Sequence, residues 1–209
     1  MKGLNLILGV MCLLAAVAVF GSASSKGLAG TSNEDIQNAT NMMESSMNVM
    51  MNEMAYVPVL GEADITATHS GADISGKVKF TETESGLLVE ANVLNVPEPG
   101  AHGFHIHEVG SCNDAGNAAG GHYNPNNSPH GLLENDGHPK AHAGDMGNII
   151  IDANGSGQLS TFLPEVGLTA GKYQVAGRSV ILHEKSDDFG QPTGNAGGRI
   201  GCGVIKLTE

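Results

Sequence analysis

Gly103-Phe104-His105-Ile106-His107-Glu108 is the stretch on which the reading of this chain turns. Large apolar residues alternate with histidines at a period of two. In a β-strand, residues i and i+2 share a face and lie roughly 7 Å apart. Phe104 and Ile106 would then enter a core on one side, while His105 and His107 converge on the other. The segment is either a strand that presents two ligands from one face or a strand that carries histidines to no purpose.

The same period runs outward in both directions. Ile74 to Thr83 alternates, Leu87 to Val96 is β-rich, and Asn95-Val96-Pro97-Glu98-Pro99-Gly100 breaks the run before Ala101 to Val109. Later runs are Asn148 to Asp152, Gly157 to Leu163, Val175 to Glu184 and Gly198 to Leu207, and a first strand near Glu62 to Thr68 brings the total to eight. Gly, Pro, Asn and Asp fill the gaps. Aromatics make up only 4%, Trp is absent and there are 30 glycines, a composition that suits a turn-rich β protein rather than a helical bundle. The expectation is an all-β, antiparallel sandwich or barrel. Two connections, Gly110 to Gly147 and Lys185 to Gly197, are too long for bare turns and read as functional loops.

Nine histidines are present, and six of them fall between His102 and His138. A lone histidine in a strand is ordinarily a satisfied core or surface residue. A cluster in one loop is different, because imidazole is the commonest metal ligand. His183 ends the core run Ser179-Val180-Ile181-Leu182-His183, and the long loop offers His122, His130, His142 and Asp145. Imidazoles alone suit copper or zinc, and adding one carboxylate suits zinc. A bound metal would also order a loop that has little core of its own.

The N-terminus reads as an export signal over residues 1–23: Lys2, an apolar run from Leu4 to Phe20, then Gly21-Ser22-Ala23 as a cleavage site. An uncleaved anchor is the alternative, and no stable membrane insertion is expected after cleavage. Losing Lys2 takes the formal charge from −12 to −13. With ten Lys and Arg, no basic face can be assembled for nucleic acid. Cys112 and Cys202 remain after cleavage, and in an exported chain they most simply form one disulfide, against the alternative of two buried thiols. Residues 24–56 form a polar, methionine-rich extension. Thr31-Ser32-Asn33-Glu34 resembles a capping box, and Ile36, Met43, Met47, Met50, Met51 and Met54 fall within an arc of roughly 100° at helical spacing. A helix is expected from Ser32 to Met54, joined by Tyr56-Val57-Pro58 to a domain over residues 57–209.

Five segments together resemble copper–zinc superoxide dismutases in order and spacing. They are Gly103 to Glu108, Gly120 to Pro125 (GGHYNP), His142 to Asn148 (HAGDMGN), Gly177 to Asp188 (GRSVILHEKSDD) and Gly194 to Ile205 (GNAGGRIGCGVI). The resemblance covers Gly61 to Leu207 and implies an eight-stranded Greek-key barrel that dismutates superoxide. It implies copper held by His105, His107, His122 and His183, and zinc held by His122, His130, His142 and Asp145, with His122 shared between the ions and protonated in turn during the reaction. Asp187 matches the carboxylate linking a copper ligand to a zinc ligand, Arg199 the arginine that meets the substrate anion, and Cys112–Cys202 the disulfide between metal loop and last strand. Four residues separate His107 from Cys112 and nine separate Cys112 from His122. With Gln191 to Asn195, this spacing resembles the bacterial exported branch, periplasmic or extracellular. The departure leaves open whether a homodimer forms and through which surface. His138 is a second candidate for the place given to His142, which the His-x-x-Asp context favours. His69 and His102 are read as non-ligands.

Superoxide is an anion and the chain is acidic, so attraction must be local. Arg199 is the first candidate, and Lys185 and Lys140 are either a cationic rim or ordinary solvated charges. The Met42 to Met54 stripe lies outside the resemblance. It is read either as apolar packing against the barrel or a second copy, or as capture of Cu(I) by soft thioethers. Two rivals of other classes are a copper carrier without turnover and a zinc-stabilised interaction module. The complete ligand set and Arg199 weigh against both.

Overall fold

The structure is a computed structural model and describes residues 33–53 and 57–208. The expected export signal, Cys12 and Met54 lie outside the described residues. The chain forms two compact units, Met1–Ala55 and Tyr56–Glu209. In the first, α1 spans Asn33–Glu53; the expected end residues Ser32 and Met54 lie outside the described residues. Among the described residues no helix is long and apolar enough to cross a membrane.

The second unit is an antiparallel barrel. Its strands are β1 (Leu60–Ala67), β2 (Ser75–Glu82), β3 (Gly86–Leu94), β4 (Gly100–His107), β5 (Asp145–Ile151) and β6 (Gly157–Pro164), followed by the short pair β7 (Val166–Gly167) and β8 (Tyr173–Gln174), then β9 (Ser179–His183), β10 (Arg199–Val204) and β11 (Lys206–Leu207). β10 and β11 are the expected last strand, interrupted at Ile205. The order is β10-β9-β4-β5-β6-β3-β2-β1-β11, and pairing of β10 with β1 closes the barrel. Closure removes the exposed edges that an open sheet would present. The all-β barrel expected from the alternation is therefore what forms.

Alternation sets the core. Val78 and Phe80 on β2, Leu87 and Val89 on β3, Phe104 and Ile106 on β4, and Val180 and Leu182 on β9 all point inward and are buried. Register places Phe104 opposite Leu182 and Ile106 opposite Val180. One boundary differs from expectation. The run from Val175 begins as a turn, with Gly177 at φ 81° and Arg178 N–H donating to the Val175 carbonyl, so β9 starts only at Ser179. Apolar content at Val175 reflects burial, not strand pairing.

The loop between β4 and β5 carries a short 3-10 turn, Asn117–Ala119, and α2 (Leu133–Asp136). It folds back over β4. Tyr123 N–H donates to the Ile106 carbonyl, Ile106 N–H to Gly144 and Glu108 N–H to Gly121. β4 is thereby covered on both faces and is buried from His102 to His107. The Cys112–Cys202 disulfide pins this loop to β10.

Candidate metal centre

Two bulges aim the site. Between β4 and β5 the register shifts after Gly103, so that Asp145 comes to lie opposite His105. The extra residue on β5 sits beside Gly147, whose φ of 78° is the left-handed geometry a glycine bulge needs. Between β9 and β10 a second shift leaves Arg199 opposite His183. Gly103 lies where a Cβ would meet His105 and Ala196, so the strand can approach that ring only without a side chain.

His105, His107, His122 and His183 form one group and His122, His130, His142 and Asp145 another, with the donor atoms of each group within 4.8 Å of one another. All seven side chains are buried. His122 belongs to both. Its Nδ1 lies 2.8 Å from Asp145 Oδ1 and 3.4 Å from His142 Nδ1, and its ring centroid is 4.1 Å from that of His105. His107 Nε2 and His183 Nε2 are 3.3 Å apart. Their other nitrogens face carbonyls: His107 Nδ1–H donates to Gly120 at 3.0 Å, and His183 Nδ1–H points to Gly197 at 3.4 Å.

Asp187 joins the two groups. Its Oδ2 accepts from His105 Nε2–H at 2.8 Å, and its Oδ1 from His130 Nε2–H at 2.9 Å. Asn148 holds the Asp187 backbone from both sides, accepting from its N–H at 2.7 Å and donating to its carbonyl at 2.9 Å. Gln191 does the same for His130, at 2.9 and 2.8 Å. Asn148, Gln191 and the Gly120 carbonyl were not singled out from the sequence. An amide side chain in a loop carries no signal of which distant backbone it will hold.

The donor set fits metal ions. Three buried ring nitrogens lack a hydrogen-bond partner among the described residues: His105 Nδ1 and His130 Nδ1 within the two groups, and His138 Nδ1 outside them. His130 Nδ1 lies 2.9 Å from Asp145 Oδ2, an ion-pair contact while the ring is protonated and two donors facing one point once it is not. Burying an unpaired polar atom costs about 1–3 kcal/mol, so such positions call for an occupant. Ligands of a tetrahedral zinc with bonds near 2.0–2.1 Å stand about 3.3 Å apart. The contacts among His122, His142 and Asp145 are 2.8, 3.1 and 3.4 Å.

The electrostatics agree. Burial, reinforced by neighbouring imidazoles, pushes His122 down to about 4 and His183 to about 3, and holds His107 well below the usual histidine range. These rings stay neutral, the form that ligates metal. For His130, burial opposes the charge but Asp145 and Asp187 outweigh it and raise the ring to about 9. Asp145 and Asp187 lie far below the usual carboxylate range: burial opposes ionisation, and hydrogen bonds from the surrounding histidines overcome it.

The remaining candidates are placed as follows. His138 stands apart from both groups: its Nε2–H donates to the Pro164 carbonyl at 2.8 Å and its ring stacks on Tyr173 with centroids 3.7 Å apart. His102 lies between the carbonyls of Glu98 and His183, at 2.8 and 2.9 Å, and His69 is exposed beside Thr68. The Arg199 guanidinium holds the metal loop, donating to Gly116 and Gly120 at 2.6 Å each, and desolvation lowers its pKa. The Lys185 stem lies close to Gly197, whose carbonyl faces His183. Lys140 is exposed in the turn after α2.

The family model described as "Copper/zinc superoxide dismutase (SODC)" matches residues 74–205. The chain belongs to the copper/zinc superoxide dismutase family. Family members bind copper and zinc, and the two buried donor groups give this dismutase domain a place for both. A solved structure described as that of the clock protein EA4 is similar at 33% identity and a TM-score of 0.63, over 72% of this chain and 96% of that one.

Proposed function

We propose that this chain is an exported copper–zinc superoxide dismutase of the bacterial kind, acting in a periplasm or outside the cell. The observation that carries the site assignment is His122, one ring between two donor groups. On this reading copper would be held by His105, His107, His122 and His183, and zinc by His122, His130, His142 and Asp145. When bound, copper supplies a one-electron couple that takes superoxide to oxygen and to hydrogen peroxide, while zinc, without redox chemistry, fixes the shared ring.

The chain's own residues supply the rest. Arg199 attracts and positions the anion in a protein whose formal charge of −12 would otherwise repel it. Its bonds to the Gly116 and Gly120 carbonyls fix the guanidinium, and the Gly120 carbonyl also orients His107, so substrate binding and ligand geometry share one anchor. His122, the ring shared by the two donor groups, carries the proton for the peroxide-forming half. Lys185 adds positive charge at the rim. Asp187 keeps the His105 and His130 rings oriented.

Export is supported by Lys2, the apolar run to Phe20 and the small residues after it, by the Cys112–Cys202 disulfide, and by the short spacing from His107 to Cys112. Residues 1–23 are then the signal, 24–56 the helical extension and 57–209 the catalytic barrel. The test is superoxide consumption by the purified chain, with copper and zinc counted before and after reloading. Turnover that rises with copper to a ratio of about one copper per zinc is the expected result. Full copper without turnover would sink the reading and leave a copper carrier.

A further inference from the structure

We propose that the methionine face of α1 is a second copper site, one that captures cuprous ion before the barrel receives it. The inference rests on the function proposed above, an enzyme that must acquire copper outside the cytoplasm. Within Asn33–Glu53, Met43, Met47 and Met50 recur at i, i+4 and i+7. The helical rise separates Met43 from Met47 by about 6 Å, a gap that flexible three-bond side chains close easily, and Met50 follows at the next stripe position. Thioether sulfur is soft, uncharged and proton-free. It selects Cu(I) over Cu(II) and zinc, the opposite of the imidazole and carboxylate set in the barrel.

Three observations separate this from ordinary packing. The first is composition. Met42 to Met54 holds six of the chain's nine methionines, whereas Met146 is the only one from Val57 onward. The barrel builds its core from Phe, Leu, Ile and Val, while Asn33–Glu53 contains no Leu or Phe. A stripe meant for packing would draw on the same residues. Exposure is the second: of the stripe, Met43 and Met47 are 38% and 46% exposed, against 2% for Met146. Third, the helix carries Glu34, Asp35, Glu44 and Glu53 and no Lys or Arg. Four acidic residues and no basic one leave the helix negatively charged, a field that favours a cation over an anion at its surface.

The test uses the full chain with its barrel already loaded with copper and zinc. Cu(I) is titrated anaerobically against a chromophoric Cu(I) chelator, and X-ray absorption reads the ligand type. The comparison is the triple variant Met43→Leu, Met47→Leu, Met50→Leu, which keeps volume, apolarity and helix propensity but removes sulfur. The natural chain is expected to take up about one further Cu(I) with sulfur scattering, and the variant to bind it at least about ten-fold more weakly at equal helicity and equal turnover. No further Cu(I) in the natural chain, or equal uptake by the variant, would overturn the proposal and leave packing as the role of the stripe. Because the count is made without turnover, a chain that failed to dismutate superoxide would overturn the function above and not this site.

Discussion

Replacing Asp187 by Asn separates two opposing effects at the metal centre. The carboxylate accepts from His105 Nε2–H at 2.8 Å and from His130 Nε2–H at 2.9 Å, and it is buried. Removing a partner that orients ligating histidines weakens metal binding about 10- to 100-fold, or about 1.4–2.7 kcal/mol. The opposing effect comes from the proton. Burial disfavours a charged His130, but Asp145 and Asp187 together hold its pKa up to about 9. On the proposed assignment, zinc binding at pH 7 must displace that proton. Two pH units at 1.36 kcal/mol each amount to about 2.7 kcal/mol, roughly a 100-fold penalty on apparent affinity. Neutralising one of the two carboxylates lowers the His130 pKa and lifts part of this penalty. Asp187→Asn should therefore weaken zinc binding by nearly the full 10- to 100-fold at pH 9 and by distinctly less at pH 7. Competition with a chromophoric zinc chelator at both pH values measures it. Calorimetry in buffers of different ionisation enthalpy should show about one proton released per zinc by the natural chain at pH 7, and fewer by the variant. Equal affinity of the two proteins at pH 9, or a larger loss at pH 7 than at pH 9, would refute the reasoning.

Removing His142 should abolish tight zinc binding, whereas His138→Ala should leave zinc content unchanged and cost only the stability of its stack on Tyr173, read by metal analysis and denaturant midpoint. Cys112→Ser with Cys202→Ser opens a link spanning 90 residues and should cost about 2–5 kcal/mol of stability. It should also loosen the loop whose carbonyls hold Arg199, seen as a fall in kcat/KM for superoxide. Acid should destabilise the metal-free chain through His122 and His183, whose folded pKa values of about 4 and about 3 lie below their ordinary 6.5. The unfolded chain takes up more protons between pH 6.5 and those values, so stability falls across that window, by about 3 kcal/mol for His122 alone. His130 has the opposite sign: its contribution is full below pH 6.5 and is lost as pH rises through about 9. Urea midpoints of the metal-free chain at pH 4.5, 7 and 9.5 separate the two.

What could be read without coordinates follows from which interactions are local. Alternation placed Phe104 and Ile106 in the core and His105 and His107 on one common face, because pleat and side-chain direction are properties of the strand itself. Spacing in the chain likewise favoured His142 through its nearness to Asp145. The register shift at Gly147 that sets Asp145 opposite His105, and the one that sets Arg199 opposite His183, depend on pairing between strands. Neither leaves a periodic trace. Val175 was misjudged for a related reason: its burial looks like that of a strand residue, but Gly177 turns the backbone before pairing begins.

The histidine face of β4 shows why metal and fold are one problem here. In a barrel with one wet face, the polar positions of an alternating strand meet solvent. On β4 they meet the Gly110 to Gly147 loop instead, and every residue from His102 to His107 is buried. Covering the strand places imidazoles where an unpaired nitrogen costs about 1–3 kcal/mol, and two of them, His105 Nδ1 and His130 Nδ1, have no hydrogen-bond partner. The loop, for its part, is held by the Cys112–Cys202 disulfide, by Arg199, and by backbone bonds from Tyr123 N–H to the Ile106 carbonyl and from Ile106 N–H to the Gly144 carbonyl. A bound metal would repay the buried nitrogens and join the loop to the barrel through His122 in the same act. The metal-free chain should therefore lose order first in the loop, with β2 and β3 on the far side of the barrel keeping their protection, and hydrogen exchange with and without metal measures the difference. Equal protection of the loop in the two states would mean that the protein contacts alone hold it and that the buried donors are satisfied by water.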